Sequence, residues 1–172
     1  SSWFDIITAD KGPYAKKGYI IKTHSNGKAL DIAGGKVEEG KSVIQYNVHQ
    51  NGNQVWLLVS VQEPKPEKHK KEEGDVAPKF KAKEKSFYKI LPGADPTRCL
   101  TVDPNTWNVN VRPFEDSIYQ KFSISTENDK FYLTLCGHEE KVCISKDRKD
   151  KSAIVVADKN KRNSTLFDIV RS

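Results

Sequence analysis

The residue types that could do chemistry crowd into one stretch of this 172-residue chain. Between Leu30 and Trp56 stand the carboxylate Asp31, the amides Gln45, Asn47, Asn53 and Gln54, and the flat rings of Tyr46 and His49. A carboxylate accepts hydrogen bonds, an amide donates and accepts, and a ring offers an apolar face. Such a set suits holding a polar ligand rather than breaking its bonds. No phosphate-cradling glycine loop, His-Glu-x-x-His or nucleophile elbow occurs. Glu38-Glu39, Glu72-Glu73 and Glu139-Glu140 are adjacent pairs, and adjacent side chains on extended backbone diverge, so none converges as acid and base. The expectation is a non-enzymatic protein with no catalytic residue. Cys136, His138 and Cys143 offer three soft ligands where structural zinc takes four, so neither metal nor cofactor is expected.

The elements that must position these groups read as strands throughout. Tyr19-Ile20-Ile21 runs into a turn at Asn26-Gly27, where Asn-Gly suits the positive φ of a tight hairpin. Ala29-Leu30-Asp31-Ile32, Ser42-Val43-Ile44-Gln45-Tyr46 and Val55-Trp56-Leu57-Leu58-Val59 follow, each bounded by Gly or Asn. Two further units repeat the pattern. They open at Phe87-Tyr88 and Phe131-Tyr132 and close at Gln120-Lys121-Phe122 and Thr165-Leu166-Phe167. From Tyr19, Phe87 and Phe131 to Trp56, Phe122 and Phe167 the distances are 37, 35 and 36 residues. Short strands with turns every eight to twelve positions indicate an all-β sandwich or barrel, and units this short must share one core. Twelve strands in three groups of four are expected, with units at about 18–62, 86–126 and 130–171 of a single domain.

Two segments fall outside that pattern. Residues 1–17 carry Phe4-Asp5-Ile6, which matches Phe167-Asp168-Ile169 in type, and are expected to lie on the body as an extra strand or cap. Residues 63–85 hold eight lysines, three prolines and one bulky apolar residue, Phe80. That composition does not repay the entropy of folding, so a solvated basic loop is expected.

Leu30-Asp31-Ile32, Val43-Ile44-Gln45 and Asn53-Gln54-Val55-Trp56 stand in the order and spacing of the ricin-type lectin repeat, which the first unit resembles. The resemblance implies a β-trefoil, a closed six-stranded barrel capped by three hairpins, with the Gln-x-Trp aromatics in its core. It also implies a sugar site in which Asp31 accepts hydroxyl hydrogens while Gln45 and Asn53 hold the same hydroxyls. The family's stacking aromatic falls at Asn47 here, leaving Tyr46, one place early on the strand, or His49 as the flat group. In the other units Asp31 aligns with Thr101 and Cys143, so one site is expected, in the first unit. Gln54 and Trp56 are expected to lock the hairpin and fill the core.

The partner implied is a glycan or glycoprotein. Net charge is +6, but Lys is interleaved with Glu and Asp almost everywhere, which argues against nucleic acid. Two alternatives stay open: a trefoil scaffold that binds proteins or inhibits proteases through its loops, and a basic trefoil that binds acidic polysaccharide or phospholipid. No apolar run approaches the ~18 residues of a membrane span. Three cysteines do not make a disulfide framework. No secretory signal is recognisable, and the lack of Met points to a removed initiator; compartment, oligomeric state and sugar identity stay open.

Overall fold

A computed structural model of the chain describes residues 3–61, 86–138, 141–145 and 151–158. The basic insert at 63–85, the closing strand expected around Phe167 and the pairs Glu72-Glu73 and Glu139-Glu140 lie outside these residues.

Strand β1 (Phe4–Thr8) is followed by the first unit, β2 (Tyr19–Thr23), β3 (Ala29–Ile32), β4 (Val43–Tyr46) and β5 (Trp56–Ser60). The second unit supplies β6 (Tyr88–Pro92), β7 (Arg98–Val102), β8 (Val109–Pro113) and β9 (Phe122–Glu127). The third supplies β10 (Lys130–Leu135), β11 (Lys141–Ser145) and β12 (Ile154–Asp158).

Six of these strands close on themselves. β1 pairs with β2, β2 with β5, β5 with β6, β6 with β9, β9 with β10, and β10 returns to β1. Every pairing is antiparallel, and the ring leaves none of these six staves as an open edge. The remaining strands form the hairpins β3–β4, β7–β8 and β11–β12. Isolated bridges Ile44↔Ala153, Asn108↔Val155 and Ser42↔Asn110 link the three hairpins in a second, smaller ring. The molecule is a β-trefoil.

The N-terminal segment is not a cap. Its strand is the sixth stave, paired along all five residues with β2 from Phe4↔Thr23 to Thr8↔Tyr19. The threefold register explains why. Tyr19 faces Trp56, Tyr88 faces Phe122, and Phe131 faces Phe4. Phe4 thus stands where the repeat pattern placed Phe167. Trp56, Phe122 and Phe4 are all fully buried in one apolar cluster that draws on every unit. The Trp56 indole also donates Nε1–H to the Leu30 carbonyl at 3.1 Å, tying its hairpin to the barrel.

At the end of the β5–β6 ladder Ser60 pairs with Tyr88, and Val61 N–H donates to the Phe87 carbonyl.

If Phe4 fills the shared core as Trp56 does, Phe4→Ala and Trp56→Ala should each cost about 3–5 kcal/mol in denaturant unfolding. A loss below about 1 kcal/mol at Phe4 alone would show that β1 is dispensable for closure.

Candidate functional site

Asp31 owes its position to two interlocking patterns. β3 pairs with β4 in the register Ala29↔Tyr46, Leu30↔Gln45, Asp31↔Ile44 and Ile32↔Val43. Residues opposite one another share a sheet face, and faces alternate along each strand. Leu30, Ile32, Val43 and Gln45 therefore point to the barrel core, while Ala29, Asp31, Ile44 and Tyr46 share the outer face.

That outer face forms the floor and one wall of a cleft of about 610 Å³. The volume lies within the roughly 300–1,000 Å³ usual for small-molecule sites. Asp31, Gly34, Gly35, Ile44, Tyr46, His49 and Asn53 line it from the first unit. Tyr14, Ala94 and Lys151 line it from outside that unit.

Asp31 is only 3% exposed and is held from three directions. Asn53 Nδ2 donates to Oδ1 at 3.1 Å, Gln54 Nε2 donates to Oδ2 at 2.8 Å, and His49 Nε2 lies 3.5 Å from Oδ2. Burial raises its pKa above the ordinary 3.8, and the Gln54 hydrogen bond, the His49 ring and the Asn53 amide act against that rise. Two oxygens offer about four lone-pair sites, so the carboxylate still has acceptor capacity toward the cleft.

Gln54 is the lock expected of it. Its Oε1 accepts from the N–H groups of His49 and Gln50, and its Nε2 donates to the Asn47 carbonyl as well as to Asp31. Gln120 repeats the arrangement in the second unit, accepting from Glu115 N–H and donating to the Pro113 carbonyl and the Thr101 hydroxyl.

Of the six expected ligand residues, the structure brings Asp31, Tyr46, His49 and Asn53 to the cleft. Gln45 and Asn47 lie elsewhere. Gln45 is fully buried on the core face, where Asn26 Nδ2 donates to its Oε1 at 3.3 Å. The Asn47 side chain accepts from Lys28 Nζ at 2.9 Å. The expectation that Gln45 holds the ligand is overturned, because pairing Asp31 with Ile44 fixes the parity of β4 and turns Tyr46, not Gln45, to the outer face.

The third unit needs a similar correction. Thr134 pairs with Val142 as Lys22 pairs with Ala29, and Val155 opposes Ile144 as Ile44 opposes Asp31. The equivalent of Asp31 is Ile144, not Cys143. Cys143 faces the core, and its burial pushes the thiol up to about 12. The three equivalent positions thus carry a carboxylate, a hydroxyl and a hydrocarbon. In the second unit Thr101 lines a smaller cleft of about 350 Å³ with Asp103, Arg112 and Tyr119.

Tyr14, Ala94 and Lys151 were missed because none belongs to the repeat that carries the motif. Among the described residues no cluster of three or more His, Cys, Asp or Glu is arranged to hold a metal ion. Among the same residues no helix is long and apolar enough to cross a membrane.

No protein-family model matches the sequence, and no curated protein matches it. Solved structures do. The designed threefold-symmetric protein ThreeFoil is similar with a TM-score of 0.59 and 16% identity, over 92% of this chain and 90% of that one. A mosquitocidal holotoxin matches with a TM-score of 0.61 and 16% identity over 91% of this chain, which spans 16% of the toxin's length. The C-terminal half of an earthworm R-type lectin, in complex with GalNAc, matches with a TM-score of 0.55 and 15% identity, over 92% of this chain and 89% of that one. At these identities the likeness is one of fold, and the fold is the β-trefoil.

Proposed function

We propose that this chain is a non-enzymatic carbohydrate-binding module of lectin type, with one glycan site in the first unit. The observation that carries the reading is the position of Asp31. Of the three equivalent places in the trefoil it alone offers a carboxylate, and it does so at the floor of the larger described cleft. A buried carboxylate oriented by two amides is a strong acceptor for sugar hydroxyls, since hydrogen bonds to a charged group contribute about 1.5–3 kcal/mol. Asn53 Nδ2 donates to Asp31 and to the Ile32 carbonyl, which leaves its Oδ1 as a second acceptor, and Tyr46 and His49 supply flat surface. The likeness of fold to a lectin crystallised with GalNAc supports the same reading.

A glycan array probed at two salt concentrations tests it. A neutral-sugar hit that persists in salt supports the proposal. A hit confined to acidic glycans and lost in salt would instead point to the lysine-rich surface, and no hit to a protein partner.

With a sugar in hand, one open cleft should give a dissociation constant of about 0.1–10 mM. Asp31→Ala should weaken it about ten- to a hundredfold in calorimetric titration. Thr101→Ala should leave it unchanged. Equal losses at both positions would falsify the one-site assignment.

Binding should also depend on pH in a direction fixed by the raised pKa of Asp31. The ionised carboxylate is the acceptor, so affinity should fall as pH drops through a value above the ordinary 3.8. Stability of the free protein should run the other way. A carboxyl whose folded pKa is raised contributes stability that is present below its unfolded value and lost as pH rises through the folded one. The Asp31→Asn variant should show neither dependence at this position. Denaturant midpoints and sugar titrations of both proteins between pH 3 and pH 7 check the pair, and parallel slopes in wild type and variant would rule Asp31 out as their source.

A further inference from the structure

The first unit lacks the stacking aromatic at Asn47, and the structure puts another ring in the cleft from outside the unit. Tyr14 closes the short 3-10 turn Gly12–Tyr14 that follows the sixth stave. Its ring packs on a small apolar cluster of Ala9, Ile20, Ala29 and Val55. Ala29 lies directly across from Tyr46 in the β3–β4 register and shares its face with Asp31. Tyr14 is therefore seated on the same side of the hairpin as the carboxylate.

The seat is made by two glycines. A Cβ on Gly52 would lie 3.0 Å from Tyr14 Cε2, and one on Gly93 would lie 3.3 Å from Tyr14 Cδ1. A side chain at Gly52 would meet the Ala94 Cβ at 2.6 Å as well as the ring, and one at Gly93 would crowd the ring and the Val55 carbonyl. Gly52 adjoins Asn53, whose amide holds Asp31, so ring and acceptor are coupled through one short stretch of backbone. The turn that carries Tyr14 is held by Gln50. Its Oε1 accepts from Asp10 N–H at 2.8 Å and Lys11 N–H at 3.0 Å, and its Nε2 donates to Asp10 Oδ1 at 2.9 Å.

The two tyrosines of the cleft differ in what they have left to offer. The Tyr46 ring has the Lys151 ammonium 5.7 Å from its centroid and the His49 ring edge-on at 6.2 Å. Tyr14 is half-buried and has no ring or cation partner among the described residues. A flat, fixed and partly open ring beside a hydroxyl acceptor is what the C–H face of a pyranose requires.

Building on the carbohydrate-binding reading, we infer that Tyr14 is the apolar platform of the site, contributed by the N-terminal segment rather than by the repeat. The ligand class is a saccharide whose one hydroxyl edge meets Asp31 and whose C–H face lies on Tyr14. Specificity then depends on a residue that no motif of the repeat specifies.

The test uses the whole chain with lactose and N-acetylgalactosamine as probes, titrated by calorimetry and followed by thermal melting. Tyr14→Leu keeps apolar volume in the Ala9–Val55 cluster but removes the flat ring. Affinity should fall roughly three- to tenfold while the melting temperature holds, and Tyr14→Phe should bind like wild type. Loss of binding in Asp31→Ala with no change in Tyr14→Leu would overturn the platform and leave the carbohydrate site standing. Failure of wild type to bind either probe, together with no hit on the glycan array, would overturn both; an array hit on another sugar makes that sugar the probe for the same variants. If Tyr14→Leu does not fold, saturation transfer between the Tyr14 ring protons and sugar C–H protons in the native protein decides. Transfer supports the contact, and its absence overturns it.

Discussion

Everything in this molecule hangs on one repeated contact, the pairing of an aromatic at the start of each closing stave with an aromatic at the start of the opening stave beside it. Tyr19 meets Trp56, Tyr88 meets Phe122 and Phe131 meets Phe4. These contacts set where each ladder begins, and a one-residue slip would send every inward side chain outward. Because the three are equivalent, the hairpins they launch are equivalent too, and the bridges among the hairpins repeat the same symmetry. Burial of the three closing rings makes the register costly to lose.

The cleft exists because the symmetry is broken on the outer face only. Gln54 and Gln120 hold their hairpins with nearly the same set of bonds, so the frame is common to both units. What differs is the group that the glutamine amide meets: the Asp31 carboxylate in one unit and the Thr101 hydroxyl in the other. Burying a carboxylate is costly unless it is well bonded. Asp31 is retained with two amide donors, and its raised pKa records the part of that cost the bonds do not offset. A charged group kept under such conditions marks the place where the fold gives up stability.

Much of this was legible in the sequence, and the omissions have physical causes. Alternation of apolar and polar residues, with Asn-Gly and Gly-Gly at the turns, located the described strands of the three units. The spacing of the closing aromatics located the staves that begin at Trp56 and Phe122. Two things escaped. A motif match aligns letters and not faces, so it could not say whether Gln45 or Tyr46 looks outward; the Asp31↔Ile44 pairing decides that. The same ambiguity put Cys143 in the place of Ile144. The other omission is non-local. Tyr14, Ala94 and Lys151 reach the cleft across the threefold arrangement, and nothing in their immediate neighbours marks them. The likeness of Phe4-Asp5-Ile6 to a closing stave was visible, but its place in the ring needed the partners on both sides.

That stave changes the order in which the barrel can be completed. Among the described residues all six staves lie between Phe4 and Leu135, so sealing the ring requires no residue after Leu135. Chains are made from the amino end at about 5–20 residues per second. In a trefoil closed by its final strand, sealing would wait for the last residues. Here β11 and β12 come after all six described staves in the chain. Until β10 is in place, β1 has one edge covered by β2 and presents only the other, the edge that Phe131 meets.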